Sequence, residues 1–203
     1  NNQDLIYNFL NSLKKKFLKN LKWLGYFSST SVYGNHRGEW VNEESITQPT
    51  STRGKNRLEV ENQFLSLFKN NEIPVHIFRL PGIYGIGRSA LDRLINGNKL
   101  IIEKPNHFFS RIHVEDIASA VLTSMKKETP GEIFNVTDDF PSGGDEVIKY
   151  AAELLKIDDL SFSNINSNKI PRKAKSFYSD NKKVSNAKIK KILGWTPKFE
   201  NYK

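Results

Sequence analysis

Three short stretches hold most of the side chains with which this sequence can do chemistry. Ser28-Ser29-Thr30-Ser31-Val32-Tyr33-Gly34 gathers serine and threonine hydroxyls ahead of a phenol and a glycine. Pro81-Gly82-Ile83-Tyr84-Gly85-Ile86-Gly87 sets a second phenol among glycines, and Val136-Thr137-Asp138-Asp139 is the third stretch. Glycines and small hydroxyl residues let a ligand come close to the backbone. Proton transfer needs a titrating group within hydrogen-bond reach of the reacting atom. Tyr33 and Tyr84 are therefore candidate acids, with ring packing and a solvated hydroxyl as the alternative for each. Thiolate chemistry is excluded, because the sequence has no cysteine. The 4 histidines (His36, His76, His107, His113) show no i,i+4 or His-x-His pair, so no metal site is expected.

The elements around these stretches alternate between strands and helices. Apolar residues spaced by three and four from Leu5 to Leu18 predict an amphipathic helix over residues 4–20. Trp23-Leu24-Gly25-Tyr26-Phe27 reads as a strand buried on both faces, as does Val75-His76-Ile77-Phe78-Arg79-Leu80, and Glu132-Ile133-Phe134-Asn135-Val136 is a third. Helices are expected over about 52–70, 90–95, 115–126, 143–156 and 186–193, the last ending at Gly194, with a short strand at Leu100-Ile101-Ile102. Residues 33–50 read as a polar loop, and 157–185 as polar and irregular. This alternation predicts an α/β fold, a Rossmann-like parallel sheet with helices on both faces. Open sheets of that kind bind ligands beyond the carboxyl ends of their strands, where all three stretches lie. A nucleotide or similar ligand follows from that placement alone.

The net charge is +9, from 31 Lys and Arg against 22 Asp and Glu. The lysines are scattered, and the densest runs, Lys14-Lys15-Lys16 and Lys188-Ile189-Lys190-Lys191, read as solvated helix faces. No nucleic-acid module accompanies the charge, so nucleic acid is not expected as a partner. No membrane span or signal peptide is visible, and the expected location is cytoplasmic. The chain begins Asn-Asn-Gln-Asp and runs directly into a helical pattern, which reads as an internal fragment.

Several motifs, in order along almost the whole chain, resemble those of the extended short-chain dehydrogenase/reductase family, the NAD-dependent epimerase/dehydratase group. They are Phe27–Gly34, Glu43 with Pro49, Arg79–Gly87, Arg111-Ile112-His113-Val114-Glu115-Asp116-Ile117-Ala118, Phe134-Asn135-Val136 and Leu193-Gly194-Trp195-Thr196-Pro197-Lys198. Gly38-Glu39-Trp40-Val41 and Arg53-Gly54-Lys55-Asn56-Arg57 set it apart as similar to an atypical subgroup. The resemblance implies NAD or NADP as cofactor and a small-molecule substrate such as a sugar nucleotide; a homodimer is compatible with it. It also implies oxidoreductase or isomerase activity. Ser29 and Tyr33 are then the candidate catalytic residues, with Ser28 or Thr30 as alternatives to Ser29. Ser28, Arg53, Arg57, Pro81, Gly82 and Ile83 are candidate cofactor contacts, and Thr30, Tyr84, Arg88 and Arg111 candidate substrate contacts. Residues 1–137 would form the C-terminal half of the cofactor domain, with 85–112 contributing to a cap, and 138–203 the small substrate region.

The family's Tyr-x-x-x-Lys pair should fall at positions 53 and 57, which hold arginines here. An arginine stays protonated, with a pKa above about 12, and cannot serve as a base near neutrality. Arg53 and Arg57 are read as clamps for an anionic group, the alternative being structural ion pairs with Glu43 or Glu44. Tyr178 and Lys182 have the family's spacing but follow no strand, and are read as coincidence. Asp116 is expected to favour a helix start, and Trp195 to pack in the core. Asp4 stands where the resemblance places an acidic or amide side chain. Gly82-x-x-Gly85-x-Gly87 has the wrong spacing for a pyrophosphate loop, so that loop is expected upstream. A catalytically silent dinucleotide sensor is the alternative to an enzyme, and the fragment alone is expected to be inactive.

Overall fold

The computed structural model describes residues 20–168 and 170–203. The helix expected over 4–20, Asp4 and the Lys14–Lys16 run lie outside the described residues apart from Asn20. The order of elements is β1 (Leu24–Ser29), a 3-10 turn (Thr30–Tyr33), β2 (Trp40–Val41), α1 (Thr52–Asn71), β3 (Val75–Leu80), β4 (Gly82–Tyr84) and α2 (Ala90–Ile95). Then follow β5 (Leu100–Glu103), β6 (Arg111–His113), α3 (Val114–Met125), β7 (Ile133–Asn135), α4 (Gly144–Leu155), β8 (Ser161–Asn164), α5 (Arg172–Phe177), β9 (Lys183–Val184) and α6 (Ala187–Leu193).

The central sheet is parallel, in the order β1-β3-β7, with Ser29 opposite Leu80 and Arg79 opposite Asn135. All three strands therefore end side by side. β3 is buried at every position and distributes its side chains by the two-residue period of a strand. Val75 and Ile77 face α1, packing with Val60 and Phe64. Phe78 and Leu80 face the other way, into a cluster with Phe134, with Ile117 and Ala120 of α3, and with Ile189 and Leu193 of α6. Helices thus cover both faces, and each large apolar side chain sealed between them contributes about 1.5–3 kcal/mol.

β1 departs from the expectation of a strand buried on both faces. Leu24 and Tyr26 pack towards α1, but Phe27 on the opposite face is 48% exposed. β1 is the outer strand of the described sheet, whereas β3 has a neighbour on each side. The helix expectations land within a residue or two of α1, α2, α3, α4 and α6. α6 closes on Gly194 at φ 68°, the left-handed value glycine adopts without strain.

Parallel two-stranded ladders join β2 with β9 and β4 with β6, and the short strand expected at Leu100-Ile101-Ile102 is β5, paired with β8 in the stretch that reads as polar and irregular. Residues 90–103 and 148–160 share their own core, in which Leu94 and Ile101 meet Ile148, Ala151 and Ala152. α6, which falls within the small region expected over 138–203, packs in the sheet core, and Trp195 lies in that core beside it; Trp195 is 4% exposed, and its ring N–H donates to Ser119 Oγ at 2.8 Å.

Candidate functional site

The tip of β1 turns sharply. Ser29 caps the 3-10 turn, its hydroxyl accepting from Ser31 N at 3.2 Å. Alternation along β1 sends Ser28 to the α1 face and Ser29 to the opposite one, so the two hydroxyls do not share a ligand face. Ser28 and Thr30 are buried, and Ser28 Oγ has no hydrogen-bond partner. α1 begins directly against this turn. Its N-cap Ser51 accepts from Gly54 N at 3.0 Å, and a Cβ at position 54 would lie 2.8 Å from Ser31 O. Gly54 is thus the residue that lets the helix and its two arginines approach the serine turn.

The two arginines then differ. Arg57 donates to the Phe27 carbonyl and reaches the Tyr26 hydroxyl at 3.5 Å, so it is anchored to β1. Arg53 is exposed in the first turn of α1. The expected alternative of ion pairs with Glu43 or Glu44 does not form among the described residues. Glu43 instead accepts from the Asn135 backbone N–H at 2.7 Å, fastening the loop after β2 onto β7.

Tyr33 belongs to a sealed network. The residue is 0% exposed, and its hydroxyl donates to Asn135 Oδ1 at 2.8 Å and accepts from Arg79 at 2.9 Å. Arg79 is itself bonded to Glu61 of α1 at 2.7 Å, with both side chains almost wholly buried. Burial pushes the Tyr33 phenol up to about 12. In this geometry both hydrogen-bonding directions of Tyr33, expected as a substitute acid, are taken and no face of the ring meets solvent. The solvated-hydroxyl alternative fails for the same reason.

Beyond β3, Pro81–Ile83 run into the β4–β6 ladder. Gly82 is exposed and Ile83 packs towards the sheet core. Tyr84 donates to the Asn201 carbonyl at 3.0 Å, and burial, with Asp138 and Asp116 nearby, pushes it up to about 12. Arg88 is exposed, at a turn closed by paired backbone hydrogen bonds with Gly85. Arg111 is not a free cation: its guanidinium donates to Phe109 O at 2.9 Å and to Ser142 Oγ at 2.6 Å, with the Tyr202 ring 5.9 Å away. The expected substrate contact is thus occupied in holding the 109 and 142 loops together. Asp116 accepts from the backbone of Lys198 and Phe199 at 2.8 and 3.0 Å, a structural role in tying down the C-terminal stretch. Lys182 reaches back to the Gly34 carbonyl at 3.0 Å, and burial lowers its pKa.

The third tip holds a residue that the sequence reading placed in the right stretch but did not single out. Asp138 is 1% exposed; its Oδ1 accepts from Phe140 N at 3.4 Å and its Oδ2 has no partner. Burial raises its carboxyl to about 7, against the opposing pull of the Phe140 N–H and Arg111. An acidic pair immediately after a buried strand was the available signal.

The three tips therefore define a Rossmann-type α/β protein with its polar residues at the carboxyl end of a parallel sheet. The family model of the NAD dependent epimerase/dehydratase family matches residues 1–137, and the chain belongs to that family. Human dTDP-D-glucose 4,6-dehydratase is 27% identical over 143 residues, which cover 65% of this chain and 39% of that protein. A solved structure of a functionally unknown conserved protein from Silicibacter pomeroyi DSS is 42% identical with a TM-score of 0.86, covering 91% of this chain and 64% of that one. dTDP-glucose 4,6-dehydratase from Bacillus anthracis in complex with NAD shares the fold, with a TM-score of 0.73 at 20% identity, covering 91% of this chain and 60% of that one. The chain spans less than two thirds of each of these relatives. Among the described residues no helix is long and apolar enough to cross a membrane.

Proposed function

We propose that this chain is part of an NAD(P)-dependent epimerase, dehydratase or reductase acting on a sugar nucleotide or a related carbonyl or hydroxyl compound. The observation that carries the reading is the exposed Arg53 set beside the Ser29 turn, at the carboxyl end of the sheet, in a chain of this family. An arginine there suits a phosphate or ribose-bearing cofactor, since its fork of donors binds anionic oxygens in a fixed geometry. When bound, the nicotinamide supplies a hydride acceptor or donor. Ser29 polarises the substrate oxygen, Arg53 holds negative charge, and Arg57 stiffens β1 through the Phe27 carbonyl. Gly82 and Ile83 border the same end from β4.

A second reading, a dinucleotide-binding sensor without turnover, is favoured by one feature. Arginines replace the Tyr and Lys of the family pattern, while the nearby phenol of Tyr33 is sealed by Arg79 and Asn135. The test is the full-length protein mixed with NAD(P) and dTDP-glucose or UDP-glucuronic acid, followed by cofactor absorbance and product analysis. Turnover supports the enzyme. Calorimetric binding of cofactor without turnover supports the sensor, and absence of both overturns both.

A further inference from the structure

We propose that Asp138 is a substrate-binding residue whose free carboxyl oxygen takes a hydroxyl of the sugar, an inference that rests on the sugar-nucleotide reading above.

A buried carboxyl oxygen without a partner is costly in the folded protein. Nothing about the rest of the residue is improvised. Its backbone N–H donates to Arg111 O at 2.8 Å, and Asn186 Nδ2 supports the loop from below by donating to Thr137 O at 2.8 Å and Asp139 Oδ1 at 2.6 Å. The side chain is held in place with one oxygen left over. The neighbouring Arg111 pulls on the carboxyl electrostatically, but its guanidinium hydrogen bonds go to Phe109, Ser142 and Gly143, and no salt bridge joins it to Asp138 among the described residues. Asp139, the adjacent carboxylate, is already paired with Lys190 at 2.6 Å.

The surroundings select the ligand chemistry. An anionic ligand group would meet the Asp138 carboxyl, and a cationic one would meet Arg111. A neutral hydroxyl suits both protonation states of the carboxyl, donating to the ionised form and donating or accepting with the neutral one. The carboxyl's rise to about 7 places both forms within the working range. Tyr84, only partly buried, connects this cluster to the surface at the carboxyl end of the sheet. The stretch Glu200–Tyr202 lies over the neighbours of Asp138, through Asp139 N to Glu200 O at 3.0 Å, Tyr84 Oη to Asn201 O at 3.0 Å, and the Tyr202 ring beside Arg111. This stretch must swing aside for a sugar to reach the oxygen.

The experiment uses the full-length protein and its Asp138→Asn variant, with thermal melting of the free protein and calorimetry with NAD and then dTDP-glucose. A ligand-binding role predicts that D138N melts at or above the wild-type temperature, because an unsatisfied buried acid is removed. It also predicts that NAD affinity is unchanged while dTDP-glucose affinity falls about tenfold. Equal dTDP-glucose affinity in the two proteins, or a lower melting temperature of D138N, would overturn the inference while leaving the sugar-nucleotide reading intact. A wild-type protein that binds NAD but not dTDP-glucose would overturn both.

Discussion

The two ends of the sheet's carboxyl edge are built in opposite ways. At the β1 tip the charged groups are open: Arg53 and Arg57 are exposed, Arg57 reaches the Phe27 carbonyl of β1, and the Ser29 hydroxyl accepts from Ser31 N. At the β7 tip they are closed in: Asp138 is 1% exposed, Tyr84 is tied to Asn201 and Arg111 is bonded to Phe109 and Ser142. Cationic groups thus stand open at one end, and a desolvated acid lies covered at the other. Such a division suits a phosphate-bearing cofactor at the first end and a neutral polyhydroxyl group at the second. Between them, Glu61, Arg79, Tyr33 and Asn135 form a buried chain of hydrogen bonds from α1 across β3 to β7.

Cutting that chain should break the comparison altogether. Arg79→Met leaves Glu61 buried without its partner, and losing one member of such a pair costs about 3–5 kcal/mol. Urea unfolding should show this loss; a change below 1 kcal/mol would mean that the network does not join the two ends. Tyr33→Phe should cost about 1–3 kcal/mol, since Arg79 and Asn135 each lose a partner. Turnover per folded molecule should be unchanged; a collapse of kcat without loss of stability would restore Tyr33 as an acid.

The covered end predicts a particular pH dependence. The Asp138 carboxyl sits at about 7 when folded, above its ordinary value of 3.8, with Arg111, Asp139 and Tyr84 as its charged or titratable neighbours. Between those two values the unfolded chain ionises while the folded one keeps its proton. Its contribution is therefore fully present at acid pH and is lost as pH rises towards 7. The melting temperature of D138N relative to wild type should climb over that window and level off above it, by roughly 2–4 °C per kcal/mol. A flat difference would show that burial does not perturb this acid. The smallest stability effect is expected at the open end. Arg53→Ala should change stability by less than about 0.5 kcal/mol. Its NAD(P) affinity, read by calorimetry on the full-length protein, should nonetheless fall about tenfold. Unchanged affinity would remove Arg53 from the cofactor site.

Long periodic elements were readable in the linear order of residues. α1 and α6 carry their apolar faces and caps locally, and β3 is apolar along most of its length because it is covered on both sides. The ladders β2–β9 and β4–β6 were not readable. Strands of two or three residues have no period to detect, and their partners lie far away in the chain. The exposure of Phe27 was missed for a related reason: an apolar run looks the same whether its second face is covered or open.

The amino-acid order by itself determined the class of fold, the positions of the three strand tips and the presence of Arg53 and Arg57 at the start of the helix after the serine stretch, because these depend on residue type and local spacing. Only the tertiary structure decided which polar groups are free. Tyr33 is bonded to Arg79 and Asn135, 46 and 102 positions away, while Asp138 Oδ2 is left without a partner. Hydrogen-bond saturation and desolvation are set by neighbours in space, which no local pattern encodes.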